Sequence, residues 1–258
     1  MILTVELPHE LLHRLQGDPL RLGAMRGALL TANLEGVWWG TRTAALVDRA
    51  SFDQEGARQL ADCLQAAQPE LVVVFEPASE QTFVVNRRLL EARLAQSVAI
   101  IDVGGQHPTL LETVPPGVQK LTDLIAKYAD SGNSFCLLRL EPPSRTSDLV
   151  TLAGILLDYE VAYRVAGEDG PNCLGGRELV LIEAFSITAR GQRNPLFSFS
   201  YPAEIAVATP TLEPEQVVAR VDRKLQGRFL KAQRQFPELA GFSVEVKSST
   251  VTLDQVAL

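Results

Sequence analysis

Four carboxylates stand where an apolar run stops. Ala44-Ala45-Leu46-Val47 ends at Asp48, and Leu71-Val72-Val73-Val74-Phe75 ends at Glu76. Val98-Ala99-Ile100-Ile101 ends at Asp102, and Phe135-Cys136-Leu137-Leu138-Arg139-Leu140 ends at Glu141. Carboxylates that converge can hold a divalent cation such as Mg²⁺ through hard oxygen ligands. They can also bind sugar hydroxyls, or split their pKa values into an acid and a base. Two of the four share a spelling, because Glu76-Pro77-Ala78-Ser79 and Glu141-Pro142-Pro143-Ser144 are both Glu-Pro-x-Ser. The competing use of these residues is structural. Proline stops a strand, serine caps the next helix, and a carboxylate is favoured at the positive end of a helix dipole.

Three further constellations could carry chemistry. His9-Glu10-Leu11-Leu12-His13 spells H-E-x-x-H. On a helix that spacing puts two imidazoles on one face for Zn²⁺, with Glu10 as base for a bound water. The context argues against it: the stretch follows Pro8, His107 is the only other histidine, and no zinc-protease continuation follows. Gly104-Gly105, followed by Gln106-His107, comes directly after an apolar run. Glycines there would let a backbone approach a phosphate, yet neither G-x-G-x-x-G nor G-x-x-x-x-G-K-[ST] is present, so a tight turn is expected. Cys173 lies beside Gly175-Gly176, and His107 with Asp102 could serve it as base and orienting acid. A buried, unreactive cysteine is the competing reading.

These residues need elements to position them. Ser51-Phe52-Asp53-Gln54 reads as a capping box opening a helix with Ala57, Leu60, Ala61 and Leu64 on one face. A helix is expected over 80–95 with Phe83, Leu90 and Leu94 inward, and another carries Val118, Leu121, Leu124, Ile125 and Tyr128. Gly132-Asn133 ends that helix, and Leu149, Leu152, Ala153 and Leu156 mark the next, before a strand at 161–165. Strands separated by single helices must run parallel, and continuous apolar runs suit strands covered on both faces. The expected fold is therefore α/β: a three-layer, Rossmann-like sandwich with a mainly parallel sheet. Glu178–Ile187 and Leu196–Ser200 predict an antiparallel hairpin extending that sheet. A long helix opens at Pro214 with Val217, Val221 and Leu225 inward, followed by a last strand at Phe242–Val246 and an apolar tail at Val251–Leu258. The organisation read from the sequence is one domain over 1–258, with an N-terminal helical segment (1–35), βα repeats (42–165) and the C-terminal part (178–258).

The 258 residues carry a formal net charge of −7, which disfavours broad nucleic-acid or anionic-membrane binding. No apolar run reaches the ~18 residues of a membrane span. Three cysteines without paired spacing, and an N-terminus without a basic region before an apolar core, suit a cytoplasmic protein, with the nucleus as the other compartment.

Asp158-Tyr159-Glu160-Val161-Ala162-Tyr163, Asn172-Cys173-Leu174, Phe197-Ser198-Phe199-Ser200-Tyr201-Pro202 and the ending Val251–Leu258 together carry a resemblance. In these motifs the chain resembles an uncharacterised animal protein family known only as a domain of unknown function. The resemblance implies cytosolic or nuclear residence and no recognised enzyme signature, and it transfers no cofactor or site. The leading expectation is a binding or protein-interaction module without classical catalysis, with a protein or small molecule as partner. The alternatives are a metal-assisted hydrolase or transferase using Asp48, Glu76, Asp102 and Glu141, and a zinc hydrolase using His9 and His13.

Overall fold

Leu71–Glu76 is buried along its whole length, and so is nearly all of Gln81–Asn86. Two such strands need cover on both faces, and the first of the chain's two compact units is built around them. The computed structural model describes residues 30, 33–48, 51–142, 144–165 and 172–256. The first unit holds the described residues up to Gln96 together with Lys120–Glu141. The second holds Ser97–Gln119 and the described residues from Pro142 onward.

In the first unit, β1 (Ala44–Leu46), β2 (Leu71–Glu76), β3 (Gln81–Asn86) and β6 (Phe135–Leu137) form one sheet in the order β1-β3-β2-β6. β3 pairs antiparallel with both β1 and β2, and β6 pairs parallel with β2. Helix α1 (Gln54–Gln65) buries Ala57, Leu60, Ala61 and Leu64, as its periodicity predicts. Its cap is not the Ser51 box. Asp53 is the N-cap, and its carboxylate accepts from the Gly56 amide at 2.8 Å. Helix α2 (Arg87–Leu94) follows β3 directly. Helix α3 (Pro116–Asp130) contributes its residues from Lys120 to this unit, and Gly132, in the left-handed region at φ 77°, ends it.

The second unit has two sheets. β4 (Ala99–Asp102), β5 (Thr109–Leu111) and β7 (Val161–Arg164) form the order β5-β4-β7, with β4 parallel to β7 and antiparallel to β5. Helix α4 (Asp148–Leu156) packs on β7 so closely that a Cβ on Gly154 would lie 2.8 Å from the Ala162 Cβ. β8 (Glu178–Ile187), β9 (Arg193–Pro202) and β10 (Ser243–Thr252) form an antiparallel sheet in the order β10-β8-β9. The register slips between Ala184 and Phe185, opposite Leu196, next to a proline that cannot donate to the ladder. A short helix α5 (Ala203–Ala208) leads to the long α6 (Pro214–Gln233), which buries Val217, Val221 and Leu225 as expected. These join Ile182, Ala184, Phe199 and Tyr201 in one apolar core.

This architecture corrects the expectation of a mainly parallel Rossmann-like sandwich. The protein is α/β, but its sheets are mixed and mostly antiparallel. The decisive segment is 81–86. Thr82-Phe83-Val84-Val85 is a β-branched and aromatic run that favours a pleated strand over a helix. It folds back on β2 as a hairpin, so β1 and β2 run in the same direction without being neighbours. Gly104-Gly105 likewise leads into the returning strand β5 rather than a helix. The predicted C-terminal hairpin forms, but it builds its own three-stranded sheet with β10 instead of extending another. The last strand runs through Lys247-Ser248-Ser249-Thr250 to Thr252, joining two segments read as separate.

Candidate functional site

The four strand-end acids are built into their surroundings in four different ways. Glu76 is 1% exposed at the end of β2. One carboxylate oxygen accepts from the Ala78 amide at 2.8 Å, and the other from the Ser79 amide at 2.7 Å and the Ser79 hydroxyl at 2.5 Å. Glu-Pro-Ala-Ser is thus the tight turn of the β2–β3 hairpin, closed by a side chain and completed by Glu80 at φ 54°. The second copy of the spelling has another fate. Glu141 is exposed and pairs with Lys120 at 3.3 Å. Ser144, in the second unit, donates to the Gly117 carbonyl instead of capping a helix. Asp48 is exposed, and Asn33 donates to it at 3.3 Å.

Because β1, β2 and β6 share one direction, Asp48, Glu76 and Glu141 follow strands that end at one edge of the first sheet. Strands lie ~4.8 Å apart, so the intervening β3 holds the ends of β1 and β2 ~10 Å apart. Asp102 belongs to the second unit. Its two oxygens accept from the Gly104 amide at 3.0 Å and from Arg164, its ladder partner on β7, at 2.9 Å. Among the described residues, no three His, Cys, Asp or Glu side chains come together as a metal-holding group. His9, Glu10 and His13 lie outside the described residues.

His107 and Cys173 meet around Arg177. The Arg177 guanidinium lies 3.3 Å from His107 Nδ1 and donates to the Gln106 carbonyl at 2.8 Å, the Cys173 carbonyl at 2.6 Å and Glu204 at 2.7 Å. Cys173 is held by its backbone, whose amide donates to the Val103 carbonyl. Burial pushes its thiol above the ordinary value, and the charge of Arg177 opposes that rise. A thiol kept protonated is a poor nucleophile. The cluster works as a clasp joining the turn after β4, the loop before β8 and the first turn of α5.

A concave surface that sequence reasoning missed lies in the first unit. Helix α3 and the edge strand β6, with the residues that follow it, enclose a groove of about 470 Å³. Leu121, Leu124, Tyr128 and Leu137 provide its apolar lining, Lys120, Lys127 and Arg139 its cations, and Asp123 and Glu141 its acids, which leaves an excess of one positive charge. Lys120 is paired with Glu141, whereas Lys127 and Arg139 have no acidic partner among the described residues. The signal was present in the sequence. Lys120, Leu124 and Lys127 fall at i, i+4 and i+7 on a helix, and Leu137, Arg139 and Glu141 alternate along one face of an extended chain. Nothing in the sequence tells that the two stripes face each other.

Glu35 is the other missed residue. It lies in the helical stretch 33–38, and its Oε1 is buried without a hydrogen-bond partner among the described residues. Burial pushes its carboxyl up to about 8 from 4.5, so it holds a proton at neutral pH.

The fold and these sites define a mixed α/β protein whose strand-end acids are engaged locally and whose first unit offers a cationic groove. No protein-family model, curated protein or solved structure matches the chain. No helix among the described residues is long and apolar enough to cross a membrane.

Proposed function

We propose that this protein is a binding module without classical catalysis, which takes an extended acidic segment of a partner protein in the groove between α3 and β6. The observation that carries this reading is the pairing of an apolar floor with two cations, Lys127 and Arg139, that lack acidic partners among the described residues. The chain as a whole carries −7, so a groove with excess positive charge opposes the general trend of the molecule. An extended segment sends alternate side chains to opposite sides. One set fits Leu121, Leu124, Tyr128 and Leu137, and acidic residues beside it reach Lys127 and Arg139. Interactions of this sort steer and orient a partner more than they add raw affinity.

A fluorescein-labelled peptide of alternating Glu and Leu residues tests the reading by fluorescence anisotropy, against a Lys/Leu counterpart. The acidic peptide is expected to bind, with affinity falling as salt rises. Exposed ion pairs are worth ~0.2–1 kcal/mol each, so replacing both Lys127 and Arg139 with Glu should weaken binding roughly tenfold. Equal binding of both peptides, or acidic-peptide binding indifferent to the double substitution, overturns the proposal.

A further inference from the structure

β10 is the edge strand of the second unit's antiparallel sheet, and it is paired with β8 along all ten residues without a bulge. Most of its residues are exposed, and it contains no proline. Among the described residues no strand pairs with its outer edge. Alternate residues of such a strand turn N–H and C=O groups outward, a ready template for another strand. Bulges, prolines and inward charges, which normally blunt an edge, are missing here, and the two charges the strand does carry, Glu245 and Lys247, are paired within the sheet to Arg193 and Glu183.

We propose that β10 pairs with β10 of a second copy of this chain, joining two three-stranded sheets into one across a two-fold axis. The strand itself specifies the register. Val244 and Val246 pack against the core, opposite Ser186 and Ala184 of β8. Glu245 and Lys247 therefore point to the other face, where Glu245 meets Arg193 at 2.8 Å and Lys247 meets Glu183 at 3.0 Å. Paired antiparallel residues share a face, so a continuous sheet must match core-facing residues with core-facing ones. Each allowed two-fold register is then centred on a single residue. Centring on Glu245 or Lys247 sets like charges directly opposite, which is destabilising. Centring on Ser248 leaves both charges opposite uncharged residues. Centring on Val246 places that valine against its own copy and sets Glu245 opposite Lys247 of the second copy on both sides. That register also continues the row of alternating charges already formed by Arg193, Glu245, Lys247 and Glu183. The pairing involves only the second unit, so it stands independently of the groove proposal.

Sedimentation equilibrium on the full chain tests it. Wild type is expected to show a monomer–dimer equilibrium. Glu245→Lys alone and Lys247→Glu alone each create like-charge pairs at both symmetry-related positions, and each should weaken self-association about tenfold. An equimolar mixture of the two single variants should form a heterodimer of wild-type strength. The combined swap, Glu245→Lys with Lys247→Glu, should dimerise like wild type, which separates register from simple loss of the contacts to Arg193 and Glu183. Wild type that stays monomeric at its highest soluble concentration overturns the proposal and leaves the edge to a strand of a different protein. Single variants that both dimerise as strongly as wild type overturn it as well.

Discussion

Glu35→Gln isolates one buried acid and reads its cost through pH. The Glu35 carboxyl is raised from 4.5 to about 8 by burial, and its Oε1 has no hydrogen-bond partner among the described residues. The folded protein therefore holds a proton that the unfolded chain releases between those two values. A group whose folded value is raised binds more protons when folded, so its contribution to stability is greatest below pH 4.5 and falls as pH rises towards 8. Each pH unit in that window is worth ~1.4 kcal/mol, which sets a ceiling of ~5 kcal/mol. Glu35 as a whole residue is only half-buried. Partial solvation of its ionised form halves that ceiling to ~2–3 kcal/mol. Gln copies the shape of the protonated acid and cannot ionise. Urea unfolding of wild type and Glu35→Gln at pH values from 4 to 9 is the assay. The two proteins should have similar stability near pH 4, and the variant should gain ~2–3 kcal/mol over wild type by pH 8 or above. A stability difference that does not change with pH refutes the reasoning.

Two other substitutions probe how the acids are used. Arg228 donates to both oxygens of the fully buried Asp158, at 2.7 and 3.0 Å, so Arg228→Met leaves a buried carboxylate short of its main partner. A loss of ~3–5 kcal/mol in chemical denaturation is expected, and a loss below ~1 kcal/mol contradicts a structural role for the pair. Glu76→Gln turns one acceptor oxygen into a donor facing an amide of its own turn, and should cost ~1–3 kcal/mol in the same assay. Saturating Mg²⁺ should leave the melting temperature of wild type unchanged. A Mg²⁺-dependent rise abolished by both Glu76→Gln and Glu141→Gln would instead support metal-assisted chemistry at that sheet edge.

The sequence was most readable where one element explained its own pattern. The apolar period of α1, the inward stripe of α6 and the continuous apolar run of β2 each require burial that a single segment displays. Reading failed where a short segment had to be judged by its partner. Gln81–Asn86 is too short for its periodicity to separate strand from helix; its β-branched and aromatic residues favour a strand, and pairing with β1 and β2 completes it. That one element changes a parallel sheet into a mixed one. The two Glu-Pro-x-Ser spellings show the same limit. Glu76 closes a hairpin turn, whereas Glu141 is an exposed member of an ion pair, because the residues after them go to different places. β10 was only half visible, since an exposed edge strand with polar residues on both faces carries little apolar alternation. Glu76 and Asp102 were legible as strand ends, whereas Asp48 and Glu141 stand two and four residues beyond theirs, because β6 stops at Leu137. The groove was not, because it depends on helix α3 and strand β6 facing each other.

Hydrogen exchange read by mass spectrometry, with and without the alternating Glu/Leu peptide, tests the binding-module account most directly. The account predicts peptide-dependent slowing of exchange in segments from residues 120–141, which line the groove, and its loss in the Lys127→Glu/Arg139→Glu variant. Slowing that falls elsewhere in the chain while 120–141 exchanges at its free rate would contradict it.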